Sequence, residues 1–170
     1  MNKCLCLALL VSGALSCHAQ SPRTIPRGEA EYYVAAYARH YGLPVTFVRA
    51  IVDQESDWHP CAISPRGAAG LMQLMPVTAV RLGVRDRCNI GQNVSGGVRY
   101  LAWLMRKFPG DPRLVAAAYL AGEEIIGRRG LGYRNHEVVA YVSRIRKTYQ
   151  RQLAEDNKTF SATLKRRTVR

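Results

Sequence analysis

Residues 43–56 read LPVTFVRAIVDQES, and this stretch decides the fold because its apolar side chains follow a helical pattern. Pro44 suits the first turn of a helix, where a backbone N–H has no partner within the helix. The apolar residues that follow recur at spacings of three and four: Val45, Val48, Ile51 and Val52. This periodicity predicts an amphipathic helix over residues 44–55 with one buried face.

One acidic residue, Glu55, lies on the apolar face of this predicted helix, whereas Asp53 and Asp57 fall on other faces. Burial disfavours the charged carboxylate, and the negative end of the helix dipole acts in the same direction. A carboxyl group that stays protonated near neutral pH can donate a proton to a leaving oxygen. The alternative interpretation is an ordinary glutamate whose side chain reaches solvent from the end of a helix.

Helical signals continue along the chain, and no alternating strand pattern of useful length appears, so the sequence predicts an all-α fold. A short helix is predicted over residues 70–73, which read GLMQ. It must end before Pro76, because proline disfavours helical backbone at the preceding residue, Met75. The other predicted helices cover Glu29–Tyr41, 44–55, Pro76–Leu82, Gln92–Phe108, Pro112–Ile126 and a last segment that is capped by Asn135 and ends near Leu153.

Four short elements follow one another in the chain: ES at 55–56, SPRGAAGLMQLMP at 64–76, AAYLAG at 117–122 and YV at 141–142. This series resembles the soluble, goose-lysozyme-like lytic transglycosylases. The resemblance covers most of the chain and implies a mainly helical lysozyme-like domain. It also allows a small antiparallel β element between residues 56 and 70.

The resemblance implies a role for each matching side chain. Glu55 matches the single catalytic acid, and Tyr119 matches a substrate-site tyrosine that hydrogen-bonds this acid. The other matching residues belong to the glycan groove: Ser64, Met72, Gln73 and Tyr141, with Met72 forming an apolar wall. Ser64 could also be a simple turn residue before Pro65, and Met72 and Tyr141 could be ordinary core residues.

One position departs from the family's pattern. The family reads AAYNAG where this chain has Leu120 in place of the asparagine. Leucine cannot make the hydrogen bonds of an amide, which puts saccharide contact at this position in doubt but leaves the acid untouched.

The N-terminus has the features of a secretory signal peptide over residues 1–19. Lys3 precedes an apolar run from Cys4 to Leu15, and Cys17-His18-Ala19 forms a small-x-small site that predicts cleavage after Ala19. A lipoprotein acylated at Cys17 is the alternative. The apolar run is short for a membrane span, so we expect an exported, periplasmic protein with no transmembrane segment. Residues 27–153 then form the lysozyme-like domain, and 154–170 form a basic tail that is disordered from about residue 164.

Removal of this segment would leave two cysteines, Cys61 and Cys88. In an oxidising compartment such a pair favours a disulfide. A zinc site with His59 and both cysteines is the alternative, but it lacks a fourth ligand and a C-x-x-C pair. No metal and no cofactor is therefore expected.

The chain has 25 Lys and Arg against 12 Asp and Glu, a formal net charge of +13. Such a balance would suit nucleic acid. For an exported protein, the carboxylates of the cell wall are the nearer polyanion, so we expect peptidoglycan and not nucleic acid as the partner.

Three functions remain open on the sequence. The first is a lytic transglycosylase that cleaves the MurNAc–GlcNAc β-1,4 bond of peptidoglycan and leaves 1,6-anhydro-MurNAc ends. The second is a lysozyme-like hydrolase of the same bond. The third is a non-catalytic wall-binding component. In its small size the protein resembles the specialised enzymes of secretion systems, conjugation machines and pili.

Overall fold

The computed structural model describes residues 27–168, with side chains described as far as residue 162. Within this range the elements are seven α-helices and one 3₁₀ turn. The helices are α1 (Arg27–His40), α2 (Val45–Ser56), α3 (Pro76–Arg81), α4 (Ile90–Lys107), α5 (Pro112–Ala121), α6 (Glu123–Arg129) and α7 (His136–Thr168), and the 3₁₀ turn is Gly130–Gly132. The all-α prediction is confirmed. The proposed signal peptide lies outside the described residues.

Helix α2 lies in the centre of the core. Its predicted apolar face is buried and packs against α7, while α1 packs against α4 and α5 packs against α7. Side chains that are fully buried come from several helices, among them Phe47, Val48, Ile51, Val94, Leu101, Leu104 and Val115. The long helix α7 thus closes the domain over α2 with its first half.

The segment between α2 and α3 has almost no regular structure. The short helix predicted over GLMQ does not form: residues 70–73 are turns, and Ala69 makes isolated antiparallel bridges to Ile63 and Leu74. These two bridges are the only trace in this segment of the small β element that the resemblance allows. Gly70 has φ +84°, and a Cβ there would lie 2.1 Å from the Arg87 carbonyl oxygen, so only glycine fits this turn.

Two further predictions are corrected near the C-terminus. The helix predicted over Pro112–Ile126 is broken at Gly122, which has φ +89° and therefore separates α5 from α6. Asn135 does cap α7, since its side chain accepts a hydrogen bond from the Val138 N–H at 3.2 Å. This helix does not end near Leu153 but continues to Thr168, so residues 164–168 are helical where disorder was expected. None of the described helices is both long and apolar enough to cross a membrane.

Candidate active site

Glu55 lies in the last turn of α2, where the chain leaves the helix through Asp57 in the left-handed conformation. The side chain of Glu55 is mostly enclosed by protein. Burial raises the pKa of the Glu55 carboxyl from 4.5 to about 7, and a hydrogen bond from Tyr141 offsets part of this rise. The group is therefore poised to gain or lose a proton near neutral pH, as the sequence predicts from its place on the apolar face.

Tyr141, on α7, makes the hydrogen bond to the acid that the resemblance assigned to Tyr119. The Tyr141 hydroxyl donates to Oε1 of Glu55, and its side chain is only 3% exposed. The Tyr119 hydroxyl instead donates to the Met72 carbonyl oxygen at 2.8 Å. The expected Glu55–Tyr119 hydrogen bond is thus wrong. Burial, and to a lesser extent the charge of Glu55, hold the pKa of the Tyr119 hydroxyl above its ordinary value.

The other acids of the segment have different partners. Asp53 accepts a hydrogen bond from the indole N–H of Trp58 at 2.9 Å and lies 3.6 Å from the guanidinium of Arg151. Asp57 is exposed. This agrees with the prediction that both residues point away from the face that carries Glu55.

The 61–75 loop, which runs from Cys61 to Met75, contains three of the predicted groove residues. Ser64 accepts a hydrogen bond from the Ala68 N–H at 3.0 Å through its hydroxyl oxygen. The amide nitrogen of Gln73 donates to the carbonyl oxygens of Ala62 at 2.8 Å and Gly70 at 2.9 Å. Both side chains therefore brace the loop from within, and their contact with a glycan stays a prediction.

Met72 does not form an exposed wall. Its side chain is 0% exposed and packs against Gly97 of α4, where a Cβ would lie 2.5 Å from the Met72 sulfur. The exposed methionine of the loop is Met75, at 43%. Because Pro76 holds Met75 in an extended conformation outside α3, its side chain is left at the surface. Met75 was not among the residues predicted from the sequence, although its position directly before Pro76 indicates that it lies outside the helix.

Three side chains from residues 87–93 hold the loop against the start of α4. The predicted disulfide between Cys61 and Cys88 is confirmed, which rules out zinc ligation by the two thiolates. Arg87 donates to the carbonyl oxygens of Gly67 at 2.6 Å and Leu74 at 3.1 Å.

Asn93 is the third of these side chains and is completely buried. Its Oδ1 accepts from the Met72 N–H at 2.8 Å, and its Nδ2 donates to the carbonyl oxygens of Ala69 at 3.0 Å and Arg87 at 2.9 Å. A buried amide with three partners at these distances fixes the backbone around it. Arg87 and Asn93 were not found from the sequence, because their partners are backbone groups of a distant segment.

Leu120, which replaces the family's asparagine, is half-buried and packs against the hydrophobic core. The side chain thus serves packing at this position.

Comparison with known proteins identifies the family to which the chain belongs. The family model described as "Transglycosylase SLT domain" matches residues 32–138, more than half of the chain. A membrane-bound lytic murein transglycosylase F from Idiomarina loihiensis is 40% identical over 78 residues, which cover 45% of this chain and 17% of the relative. The protein with the same description from Citrobacter koseri is 52% identical over 60 residues, which cover 35% of this chain and 12% of the relative.

Solved structures agree with the sequence relatives. An inactive mutant of lytic transglycosylase Slt from Pseudomonas aeruginosa superimposes with a TM-score of 0.62 at 26% identity, covering 72% of this chain and 24% of that one. The 70 kDa soluble lytic transglycosylase from Escherichia coli gives a TM-score of 0.62 at 27% identity, covering 69% and 23%. The chain spans less than a fifth of these curated relatives and about a quarter of these structures. By its sequence and its fold, the chain belongs to the transglycosylase SLT domain family.

Proposed function

We propose that this chain is a peptidoglycan lytic transglycosylase that cleaves the MurNAc–GlcNAc β-1,4 bond and leaves 1,6-anhydro-MurNAc ends. One observation carries the proposal. In this chain, which belongs to the SLT family, Glu55 lies at the enclosed end of α2 and has a pKa of about 7. A carboxyl group with this pKa is present in both protonation states near neutral pH, which suits a residue that acts in turn as acid and as base.

The proposed reaction uses Glu55 twice. Protonated Glu55 donates its proton to the oxygen that links the two sugars, and the C1–O bond of MurNAc breaks while the substrate's own acetamido group stabilises C1. The Glu55 carboxylate then takes the proton of the MurNAc 6-hydroxyl, whose oxygen bonds to C1. The proton balance is zero, and no water is consumed. No second carboxylate is needed, which fits the outward positions of Asp53 and Asp57.

Tyr141 would orient the acid in this mechanism. Its hydroxyl donates to Oε1 of Glu55, so Oε2 is the oxygen that would carry the transferred proton. Tyr119 would act one step further away, because its hydroxyl fixes the backbone at Met72, beside Gln73. We therefore assign Tyr141 the positioning role that the resemblance gave to Tyr119.

The glycan strand would lie along the 61–75 loop. Ser64 and Gln73 offer polar atoms there, and Met75 offers the exposed apolar surface that was expected of Met72. Methionine side chains adapt to the faces of sugar rings because they are flexible and polarisable.

Mass spectrometry of the products from purified peptidoglycan tests this proposal. We expect fragments that end in 1,6-anhydro-MurNAc, which are one water lighter than fragments with reducing ends. Reducing ends alone would show a hydrolase and contradict the lyase chemistry. Strands that are bound but not cleaved would show a wall-binding component.

We also propose that the protein works in the periplasm after removal of residues 1–19, and that it serves a secretion, conjugation or pilus assembly. The signal-like sequence and the Cys61–Cys88 disulfide support export to an oxidising compartment. The mass of the protein recovered from the periplasm should correspond to a chain that begins at Gln20. A cytoplasmic protein with an intact N-terminus would contradict export.

A further inference from the structure

The chain leaves α2 through two consecutive residues with left-handed backbone. Asp57 has a φ of 48° and Trp58 has a φ of 64°. Aspartate tolerates this conformation, but it is strained for a side chain as bulky as tryptophan. In the described part of the chain, the one other non-glycine residue with a positive φ is Gln73, in the 61–75 loop. Such strain persists only where surrounding contacts hold it, and here it lies beside Glu55.

The α2 exit, residues 57–59, is held by the side chain of Trp58. The indole is 5% exposed, and its N–H donates to Oδ1 of Asp53, back on α2, at 2.9 Å. The guanidinium carbon of Arg27, at the start of α1, lies 4.8 Å from the centre of the Trp58 ring. Burial, the hydrogen bond and the cation–π contact together offset the strain of the left-handed backbone.

Backbone hydrogen bonds complete the exit. The Asp57 N–H donates to the Asp53 carbonyl oxygen at 3.1 Å, and the His59 N–H donates to the Ser56 carbonyl oxygen at 3.0 Å. The ends of helices ordinarily fray. Because these bonds close the last turn of α2, the helix stays wound through Glu55 and stops directly after Ser56.

The position of the acid depends on this last turn. In the described part of the chain, the Glu55 carboxyl has one hydrogen-bond partner, the Tyr141 hydroxyl. A single bond from another helix cannot hold the carboxyl if the backbone that carries it moves. A displacement of about 1 Å at a reacting group can cost roughly a hundredfold in rate.

We propose that Trp58 is a positioning residue for Glu55. By holding the α2 exit in left-handed backbone, Trp58 ends the helix directly after the acid and fixes the direction in which the Glu55 carboxyl points. The inference rests on the proposed function, since it names a further residue of the same site. A tryptophan that served only stability would leave the properties of Glu55 in the folded protein unchanged.

Trp58→Phe tests this inference, because it keeps a buried ring but removes the indole N–H. We expect kcat on soluble glycan fragments to fall by roughly ten- to a hundredfold with KM nearly unchanged. The midpoint of the Glu55 carboxyl, followed by carbon-detected NMR, should move from about 7 toward 4.5, because the freed carboxyl gains contact with water. Phe47→Leu is the matched control, since Phe47 is a buried ring of α2, 2% exposed, away from the exit. It should lower the Tm but leave kcat and the midpoint at their parental values.

Two substitutions of Asp53 test the hydrogen bond itself. Asp53→Ala removes the acceptor of the indole N–H and should lower kcat as Trp58→Phe does. Asp53→Asn keeps an oxygen that can accept this bond and should restore most of the lost kcat. Arg151→Gln removes the 3.6 Å ion pair with Asp53 without touching the indole bond, so it should behave like the parent.

A parental kcat or a parental midpoint in Trp58→Phe would overturn the inference. So would equal losses of kcat in Asp53→Ala and Asp53→Asn, or an equal shift of the midpoint in Phe47→Leu. If Trp58→Phe does not fold, the comparison of the two Asp53 variants decides.

This outcome is separable from that of the proposed function, because the midpoint of Glu55 is measured without any cleavage. A parent protein that does not cleave glycan strands would contradict the transglycosylase, and the midpoints would still decide whether Trp58 positions Glu55. Cleavage with anhydro products, combined with parental behaviour of Trp58→Phe, would support the enzyme and refute the positioning role.

Discussion

Helix α2 and the 61–75 loop contribute to the same site but obtain their shapes in different ways. Helix α2 is specified locally, because its apolar periodicity buries one face and its backbone hydrogen bonds lie within the helix. The loop depends on distant groups, since residues 87–93 supply its disulfide partner and its buried hydrogen bonds. The proposed acid therefore lies on a locally specified helix, whereas the proposed substrate-binding loop depends on a few long-range contacts.

The largest expected effect comes from Glu55→Gln, which changes the chemistry of α2 without changing its shape. Cleavage of peptidoglycan should fall by roughly 10²- to 10⁴-fold, since general acid catalysis is worth about that much. A matched control is Gln54→Glu, which places an acid one position away on α2. Cleavage by Glu55→Gln at the parental rate, measured as release of soluble fragments, would show that Glu55 is not the acid.

The same substitution has a pH-dependent effect on stability. The pKa of Glu55 is raised in the folded protein, from 4.5 to about 7. The contribution of Glu55 to the free energy of unfolding is therefore complete below pH 4.5 and is lost as the pH rises through about 7. Glutamine has no such loss. Glu55→Gln should therefore gain up to about 3 kcal/mol relative to the parent between pH 4.5 and pH 8. Urea unfolding at both pH values measures the difference, and a constant difference would contradict the raised pKa.

Removal of the disulfide tests how far the loop depends on its remote anchors. Cys61→Ser/Cys88→Ser opens a closure of 27 residues and should lower the free energy of unfolding by about 3 to 4 kcal/mol. Hydrogen exchange should accelerate at the loop amides, such as Met72 N–H, before it accelerates in α2. Uniform acceleration in both elements would show that the loop is no more dependent on its anchors than the helix.

Asn93→Leu should have a slightly smaller effect. The substitution leaves the Met72 N–H and two carbonyl groups without their buried partner, which should cost about 2 to 3 kcal/mol. Asn89→Ala is the control, because Asn89 only caps α4 through the Gln92 N–H and its loss should cost about 1 kcal/mol. Equal losses in the two variants, measured by urea unfolding, would remove Asn93 from its special role.

The smallest expected effects separate the two tyrosines. Tyr141→Phe removes a hydrogen bond that lowers the pKa of Glu55, so the alkaline limb of the pH–activity profile should move to higher pH. Tyr119→Phe removes a bond to the Met72 carbonyl oxygen and should leave that limb in place. Each should cost about 1 kcal/mol of stability. A shift in Tyr119→Phe but not in Tyr141→Phe would restore the assignment expected from the resemblance.

The comparison of helix and loop also explains what the sequence could predict. The burial of Glu55 follows from spacing along a single helix, and the disulfide follows from counting cysteines. The hydrogen bonds of Asn93 and the burial of Met72 depend on how α4 approaches a loop some twenty residues away, which no local pattern records. No local pattern distinguishes Tyr119 from Tyr141 either. Tyr119 lies on α5 and Tyr141 on α7, and only the packing of these two helices decides which hydroxyl reaches Glu55.

The most direct test of the central claim is the pKa of Glu55 itself. Carbon-detected NMR of protein with ¹³C-labelled glutamate side chains can follow its carboxyl carbon from pH 3 to pH 9, with Glu55→Gln to assign the signal. The burial of Glu55 predicts a midpoint of about 7. A midpoint near 4.5, the ordinary value, would contradict the claim that α2 delivers a protonated acid to the site.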